Sequence, residues 1–242
     1  MESFEKAEPY FLEQLTTQEK LTGKLHPDYA FYLSNLADLY LNMGTFDKAV
    51  DACLQLKHIQ EITIGKSDDK YAKTLNQLGV LYTRKGEYNK AELQLYEAKS
   101  IWENSSEKGH IRMAWVLTNL GNLYWTMNSF EKAERYYLEA KTIREKIEGK
   151  ENSSYAWDLT NLDNLYCDKG EFEKAEAYYL EAINIRKGLQ DNDKSGYASS
   201  LDNLGILYSQ TGKYQQAEPL FEEAKAIREK VLGKEHREYC IS

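Results

Sequence analysis

Histidine and cysteine are the side chains in this sequence best suited to acid–base, nucleophilic or metal chemistry, and both are sparse and scattered. They are His26, His58, His110, His236, Cys53, Cys167 and Cys240. No CxxC or HExxH pair occurs, and no histidine shares a helix face with a further ligand at metal-binding spacing. The GxGxxG, P-loop and GxSxG motifs are also missing. We therefore predict no catalytic residue, no metal site and no cofactor, and expect a protein that is not an enzyme.

The net charge and the hydropathy of the chain narrow its classes of partner. Asp and Glu outnumber Lys and Arg by 39 to 31, which gives a net charge of −8 at pH 7. Nucleic acids and anionic membranes both select a basic surface, so neither is an expected partner. No apolar run reaches the roughly 18 residues of a membrane span, and the first residues lack the features of a signal peptide. We expect a soluble, cytoplasmic protein.

A leucine-rich motif recurs every 42 residues and must position any functional side chain. Residues 117–124 read Leu-Thr-Asn-Leu-Gly-Asn-Leu-Tyr, and the central leucine of the motif recurs at Leu36, Leu78, Leu120, Leu162 and Leu204. Around it, apolar residues repeat at a spacing of three, which is typical of one face of a helix. A strict period of this length is typical of a solenoid, in which each repeat buries its apolar face against its neighbours.

A second motif begins ten residues after each central leucine and predicts a second helix. It reads Phe130-Glu-Lys-Ala133 in the third copy. Between the two motifs stand Gly44, Gly86, Asn128, Gly170 and Gly212, residue types that accept the left-handed conformation closing a helix. Gly23, Gly65, Gly149 and Gly233 are expected to end the second helix in the same way. Each repeat is therefore predicted to be an antiparallel hairpin of a helix A and a helix B, with about 16 residues in each helix.

The repeat pattern divides residues 1–242, predicted to form a single solenoid, into five full repeats and two partial ones. Residues 1–25 would form a half-repeat with helix B only, and residues 235–242 would begin a truncated sixth repeat. The full repeats are 26–66, 67–108, 109–150, 151–192 and 193–234. Two interpretations of the ends remain open: the chain is part of a longer array, or the half-repeats act as caps.

The consensus Ala-x-x-Leu-x-Asn-Leu-Gly-x-Leu-Tyr, followed by Gly-x-Tyr/Phe-x-Lys-Ala-Glu, resembles the tetratricopeptide repeat. More narrowly, it is similar to the 42-residue variety found in kinesin light chains, and the resemblance covers essentially the whole chain. It implies an all-α fold, an α-solenoid of helix hairpins wound into a right-handed superhelix. It also implies that the A helices line a concave groove for a peptide or a partner helix. Asp163 departs from the family's small residue, so we expect local strain there; Val50 and Cys53 replace a glutamate and an aromatic residue.

The family pattern places the groove at helix-A positions five and two residues before the central leucine, and two, five and six residues after it. The candidate binding residues are Lys73, Asn76, Arg84, Trp115, Thr118, Asn122, Trp125, Trp157, Thr160, Asn164, Asp168 and Asp202. Tryptophan buries a large area with few rotatable bonds, and asparagine pairs with donors and acceptors of a peptide backbone. We predict a groove with an aromatic, amide-lined middle, a basic flank and an acidic flank.

Several alternatives stay open at the level of sequence. Trp115 and Trp157 could pack against the adjacent repeat instead of a ligand. A clamp for a carboxylate, as in co-chaperone tetratricopeptide domains, is not expected because Thr118, Asp202 and Ile206 stand at its cationic positions. A non-enzymatic protein–protein interaction module is the function that fits best. The alternatives are a structural spacer or rod that associates end to end, and a sensor or docking arm of a larger multidomain protein.

Overall fold

The computed structural model describes residues 2–105, 111–189 and 193–232, and the regular secondary structure among them is entirely helical. The helices are α1 (Glu2–Leu21), α2 (Pro27–Asn42), α3 (Phe46–Thr63), α4 (Asp69–Arg84), α5 (Tyr88–Asn104), α6 (Ile111–Thr126), α7 (Phe130–Glu148), α8 (Ser153–Asp168), α9 (Phe172–Gly188), α10 (Lys194–Gln210) and α11 (Tyr214–Leu232). The predicted sixth repeat at 235–242, Gly233 and the side chains of His110, His236 and Cys240 lie outside the described residues.

The chain divides into two compact units, residues 1–128 and 129–242. In the first unit α2 packs on α3 and α4 on α5 as hairpins, α1 packs on α2, and α6 packs on both α4 and α5. In the second unit the hairpins are α8 with α9 and α10 with α11, and α7 packs on α8. Within each unit the fold is the predicted all-α solenoid of stacked helix hairpins. The assignment of residues 1–242 to a single solenoid, with the repeat boundaries given above, stays a prediction.

The helix ends follow the local sequence signals. Asp68 Oδ1 accepts a hydrogen bond from the backbone N–H of Lys70 (2.7 Å), and Asn152 Oδ1 accepts one from the N–H of Tyr155 (2.8 Å). These caps pair backbone donors that the first turn of a helix leaves unsatisfied. At the hairpin turns the backbone takes a positive φ at each described glycine predicted to do so, and at Asn128, where φ is 56°. The predicted turns between helices A and B are confirmed.

We expect Gly170→Ala to lower the free energy of unfolding by about 1–2 kcal/mol, because φ is 73° at this position and a Cβ disfavours the left-handed conformation. Gly188→Ala is the matched control. Gly188 ends α9 without a positive φ, and an added Cβ there would have no atom within 4 Å. The free energy of unfolding of that variant is expected to rise by up to about 1 kcal/mol, because alanine has a higher helix propensity than glycine. Urea denaturation measures both. Equal stabilities would contradict the role assigned to the turn.

In the hairpins within each unit, the leucine stripe of helix A is buried against the helix B that follows it. In the second unit one such cluster contains Tyr155, Leu159, Ala182 and Ile185. Close approach of the two helices depends on a small residue in helix A, since a Cβ on Gly205 would lie 2.8 Å from the ring of Phe221. Asp163 occupies the equivalent place in the fourth repeat, where it is fully buried. This departure from the family pattern therefore buries a carboxyl group between two helices.

Candidate functional site

The residues five positions before the central leucine carry the most exposed aromatic rings of the A helices. Phe31 on α2, Trp115 on α6 and Trp157 on α8 have exposed fractions of 62%, 41% and 58%. Lys73 holds the same position on α4 and is also exposed. Both tryptophan side chains retain exposed surface, and their contact with a ligand stays a prediction.

The predicted groove threonines hydrogen-bond to their own helices. Thr118 is buried and its Oγ1 donates to the carbonyl oxygen of Ala114 (2.9 Å). Thr160 is half-buried and donates in the same way to Ala156 (3.0 Å). This back-bonding to a carbonyl four residues earlier is common for threonine within a helix. Both hydroxyl protons are therefore already used within the fold.

The three predicted asparagines, Asn76, Asn122 and Asn164, are half-buried. In the first unit Asn76 Oδ1 accepts a hydrogen bond from Nδ2 of Asn119 (2.9 Å), which joins α4 to α6. In the second unit Asn164 Oδ1 accepts one from the hydroxyl of Tyr179 (3.0 Å), which joins α8 to α9. These contacts fix the orientation of each amide. The remaining capacity of an asparagine amide is available to a peptide backbone.

The charged candidate residues differ in their exposure and in their contacts with other helices. Arg84 and Asp168 are exposed at the ends of their helices, and Trp125 is half-buried near the end of α6. Asp202 is half-buried and forms an ion pair with Arg228 on α11. The predicted acidic flank consisted of Asp168 and Asp202, and this ion pair offsets the charge of Asp202.

The structure places the candidates on two pairs of contacting A helices. In the first unit α4 contacts α6. Three predicted residues, Lys73, Asn76 and Arg84, lie on α4, and four more lie on α6. In the second unit α8 contacts α10, with four candidates on α8 and Asp202 on α10. The role of all twelve residues in ligand binding stays a prediction.

A cleft of about 500 Å³ in the first unit was not predicted from the sequence. Its lining includes Phe31 from α2 and Lys73 from α4, which are predicted groove positions, but also Gln60 and Ile64 from the end of α3 and Leu25 from the connection before α2. The groove pattern considers A helices only, and so it misses side chains that a B helix contributes. The available signal was the repeat position that Gln60 occupies, which holds Trp102 in the second repeat and Arg144, Arg186 and Arg228 in the last three.

Tyrosine and glutamate link successive repeats within each unit. Tyr40 donates to Glu8 (2.9 Å), Tyr166 to Glu134 (2.7 Å) and Tyr208 to Glu176 (2.7 Å); Tyr124 donates to Glu92. Lys213 shares Glu176 at 2.9 Å, and the hydrogen bonds from Lys213 and Tyr208 lower the pKa of that carboxyl. The recurring Lys-Ala-Glu and Leu-Tyr motifs thus contribute to repeat stacking.

A second inter-repeat link in the second unit is a buried ion pair. Arg144 Nε on α7 lies 2.5 Å from Asp158 Oδ2 on α8, and both side chains are buried. One repeat later, Arg186 donates to Ser200, which replaces the aspartate, and forms an ion pair with Asp193 at 3.2 Å. The guanidinium group at this position therefore joins α7 to α8 and α9 to the start of α10.

Asp163 is a fully buried carboxyl, and neither of its oxygens has a hydrogen-bond partner of regular geometry among the described residues. Burial raises the pKa of Asp163 well above its usual value; the backbone N–H of Asn164, Arg186 and Tyr179 oppose that rise only in part. A carboxyl in such a site is stabilised in its neutral, protonated form.

The reactive side chains identified from sequence are separate from one another in the described parts of the chain. The side chain of His26 caps α2 by accepting a hydrogen bond from the N–H of Asp28 (3.2 Å), and burial raises the pKa of the Cys53 thiol to about 12. No group of three His, Cys, Asp or Glu residues is arranged to hold a metal ion in the ranges described. None of the helices described is long and apolar enough to cross a membrane.

Stacked hairpins with this repeat define a helical repeat protein of the class that provides protein-interaction scaffolds. The sequence profile described as "Tetratricopeptide repeat" matches residues 70–146 and 156–230, more than half of the chain. The chain therefore belongs to the tetratricopeptide repeat family. Its fold is similar to that of solved kinesin-light-chain repeats.

Solved structures share this fold at low sequence identity. BtubC (BKLC) from P. vanneervenii is 24% identical, with a TM-score of 0.80 over 95% of this chain and 92% of that one. The kinesin light chain repeats from Podosopora anserina are 20% identical, with a TM-score of 0.69 over 86% and 98%. A tetratricopeptide repeat sensor of a signal transduction ATPase from Pyrococcus horikoshii is 20% identical, with a TM-score of 0.70 over 83% of this chain and 30% of that one. No curated protein matches the chain.

Proposed function

We propose that this chain is a non-enzymatic interaction module that binds a peptide or a partner helix on the exposed face of its A helices. One observation carries the proposal: Phe31, Trp115 and Trp157 repeat at one helix position and have exposed fractions of 62%, 41% and 58%. Large aromatic side chains contribute much of the binding energy at protein interfaces, since they bury a large area at a low cost in conformational entropy. The cytoplasmic location and the exclusion of nucleic acid and membranes remain predictions from charge and composition.

The polar groups beside these rings suit an extended backbone. The half-buried amides of Asn76, Asn122 and Asn164 recur along the same helix faces, one or two turns from the aromatic position. Amide groups held in place by the fold can pair with a peptide N–H or C=O without reorganisation. The aromatic rings would then provide affinity, and the amides would fix the direction and register of the ligand.

We expect the double variant Trp115→Ala/Trp157→Ala to bind selected peptides at least about tenfold more weakly than the unmodified chain. The peptides are selected on the unmodified protein from a phage-displayed random library, and affinity is measured by fluorescence anisotropy. The control is Leu93→Ala/Leu180→Ala, which removes exposed apolar side chains (64% and 48%) from B helices. Unchanged melting temperatures show that both variants are folded. The proposal is wrong if no peptide is selected, or if the control loses as much affinity as the tryptophan variant.

A second candidate function is that of a sensor arm attached to a larger protein. The observation that favours it is the similarity to a signal transduction ATPase with a tetratricopeptide repeat sensor. The match covers 30% of the length of that ATPase chain. End-to-end self-association of a spacer or rod is a third possibility. Light scattering over a range of protein concentrations distinguishes it, because a peptide-binding monomer keeps a constant mass.

A further inference from the structure

A second cleft, in the second unit, lies between α9, α10 and α11, and its lining is basic although the chain is acidic overall. Its volume is about 250 Å³, and we refer to it as the α9–α11 cleft. The cationic residues that line it are Arg186, Lys187, Lys194 and Lys230. None of its lining residues belongs to the twelve predicted groove residues, so the cleft is a feature that the groove pattern does not include.

The basic character of the α9–α11 cleft comes from residues that are specific to one repeat. The positions 42 residues before Lys187, Lys194 and Lys230 hold Glu145, Asn152 and Gly188. A fourth difference lies beside the guanidinium group, where Ser200 stands in place of Asp158. All four differences make this cleft more positive than its counterpart one repeat earlier. A cleft lined by one sign of charge concentrates ligands of the opposite sign, so the pattern favours an anionic ligand.

The fold leaves part of the Arg186 guanidinium group without a partner. The residue has an exposed fraction of 3%, and its Nη1 donates to the carbonyl oxygen of Gly196 (3.3 Å) and to Ser200. Its Nε lies 3.2 Å from Asp193 Oδ2, but the contact lacks hydrogen-bond geometry. Nη2 makes no hydrogen bond with a described residue and, unlike Nε, is not among the fully buried atoms. An anion that accepts from Nη2 would satisfy a donor that the fold leaves open.

The rest of the lining adds positive charge and a small apolar wall. Lys187 and Lys230 are exposed, and neither forms an ion pair with another described residue. Glu223 is the carboxylate of the described lining, and it already accepts a hydrogen bond from the hydroxyl of Tyr197 (2.7 Å). The ring of Tyr197 and the side chain of Ile227 are half-buried beside these charges. The cleft thus combines an excess of cationic groups with apolar surface for a small organic group.

We propose that the α9–α11 cleft binds a phosphate monoester. The phosphate oxygens accept hydrogen bonds from Arg186 Nη2 and pair with the ammonium groups of the three lysines, while the organic group lies against Tyr197 and Ile227. A phosphate monoester fits better than a carboxylate, because it carries a charge of about −1.5 to −2 at pH 7 and has three acceptor oxygens. The cleft volume of about 250 Å³ is below the roughly 300–1,000 Å³ of most ligand pockets, and so suits one phosphate with a small substituent.

The ligand chemistry is tested by NMR titration of the isotope-labelled full chain at constant ionic strength. The probes are phenyl phosphate, benzoate and the peptide N-acetyl-Ala-phosphotyrosine-Ala amide. We expect phenyl phosphate to bind at least about fivefold more tightly than benzoate, because the dianion engages more of the cationic donors. Equal binding of these two probes, or no saturable change with phenyl phosphate, overturns the proposal.

The phosphotyrosine peptide distinguishes the two sources of such a group. If it binds more tightly than phenyl phosphate, the site is supported and the phosphate belongs to a modified protein side chain. If phenyl phosphate binds as tightly or more tightly, the site is supported and the ligand is a small molecule.

Two double variants with the same change in charge locate the site. Lys187→Glu/Lys194→Asn introduces the residues found one repeat earlier and is expected to weaken the binding of phenyl phosphate at least about tenfold. Lys146→Glu/Lys174→Gln makes an equal charge change at exposed lysines of the same unit that do not line the cleft, and should leave the affinity nearly unchanged. Equal losses in both variants would indicate a general effect of net charge, and that result contradicts the proposal, as does unchanged binding by the first variant.

The role of the guanidinium group is tested at Ser200, because Arg186 itself also joins α9 to α10. Ser200→Asp places a carboxylate where Asp158 stands beside Arg144, and is expected to weaken the binding of phenyl phosphate at least about tenfold by competing for the guanidinium. Ser200→Asn is the neutral control of similar volume and should bind nearly as well as the unmodified chain. If the two variants are folded and bind equally, Arg186 does not contact the anion and the proposal is wrong. The lysine variants test the site whether or not Ser200→Asp folds.

Discussion

Replacing Arg144 by methionine is expected to lower the free energy of unfolding by about 3–5 kcal/mol. The guanidinium Nε lies 2.5 Å from Asp158 Oδ2, and the two side chains have exposed fractions of 6% and 1%. Methionine keeps the apolar volume but leaves the Asp158 carboxylate buried without this guanidinium. The loss is large because the buried charge keeps its desolvation penalty after its opposite charge is gone. Chemical denaturation followed by circular dichroism measures the change.

Two comparisons isolate the contribution of the buried pair. The double variant Arg144→Met/Asp158→Leu removes both charges and should recover most of the lost stability, since apolar residues of similar volume often replace a buried pair without cost. Lys174→Met breaks the exposed contact with Glu171 (2.6 Å) and should cost no more than about 1 kcal/mol. If Arg144→Met is as mild as Lys174→Met, the buried pair is not a major link between α7 and α8.

Asp163→Ala is expected to raise the free energy of unfolding by about 1–3 kcal/mol. The carboxyl is fully buried between α8 and α9, and its oxygens have no hydrogen-bond partner of regular geometry among the described residues. Alanine keeps the Cβ and removes the buried polar group, and it is a small residue of the kind that the repeat pattern has at this position. Most substitutions of buried residues destabilise a protein, and a gain would therefore identify the carboxyl itself as the cause.

The same residue predicts a pH dependence of stability. Burial raises the pKa of Asp163 in the folded chain above its unfolded value, so the folded chain binds this proton more tightly. Its contribution to stability is full below the unfolded pKa of about 3.9 and is lost as the pH rises through the folded pKa. Asp163→Ala should remove this component, so its gain over the unmodified chain grows with pH.

Asn161→Ala is the control for this pH dependence, because Asn161 is a buried polar residue on the same helix and carries no ionisable group. We expect the stability difference between this variant and the unmodified chain to be the same at every pH. The assignment fails if the stability difference between Asp163→Ala and the unmodified chain is the same at pH 4 and pH 8, or if Asn161→Ala reproduces the effect.

Much of the fold follows from short stretches of sequence. The turns at Gly44 and Gly170 take the left-handed conformation that their residue type favours, and Pro27 begins α2. These features could be predicted because each depends on a few consecutive residues. The stacking of hairpins could be predicted for a related reason: the leucine stripe recurs at a fixed period, so each repeat makes nearly the same contacts as the one before.

The candidate site could be predicted only in part. Helix periodicity places Trp115 and Trp157 on the A-helix face, and their exposure agrees with that placement. The same periodicity does not reveal that Asp202 pairs with Arg228, or that Tyr179 donates to Asn164, because these partners lie on a different helix. A side chain at a groove position is available to a ligand only if no neighbouring helix engages it, and that depends on packing.

The sequence by itself determined the class of this protein, its period of 42 residues, the ends of most of its helices and the helix faces that are buried. These follow from local conformational preferences and from an exact repeat. Only the tertiary structure decided which sequence differences between the repeats change their side-chain interactions. Among the described residues, it showed Asp163 buried without a hydrogen-bond partner of regular geometry, Arg144 paired with Asp158, and Gln60 Oε1 buried without a partner. Each of these depends on side chains from two or more helices, and the energy of a buried polar group is set by the partners that packing brings within reach.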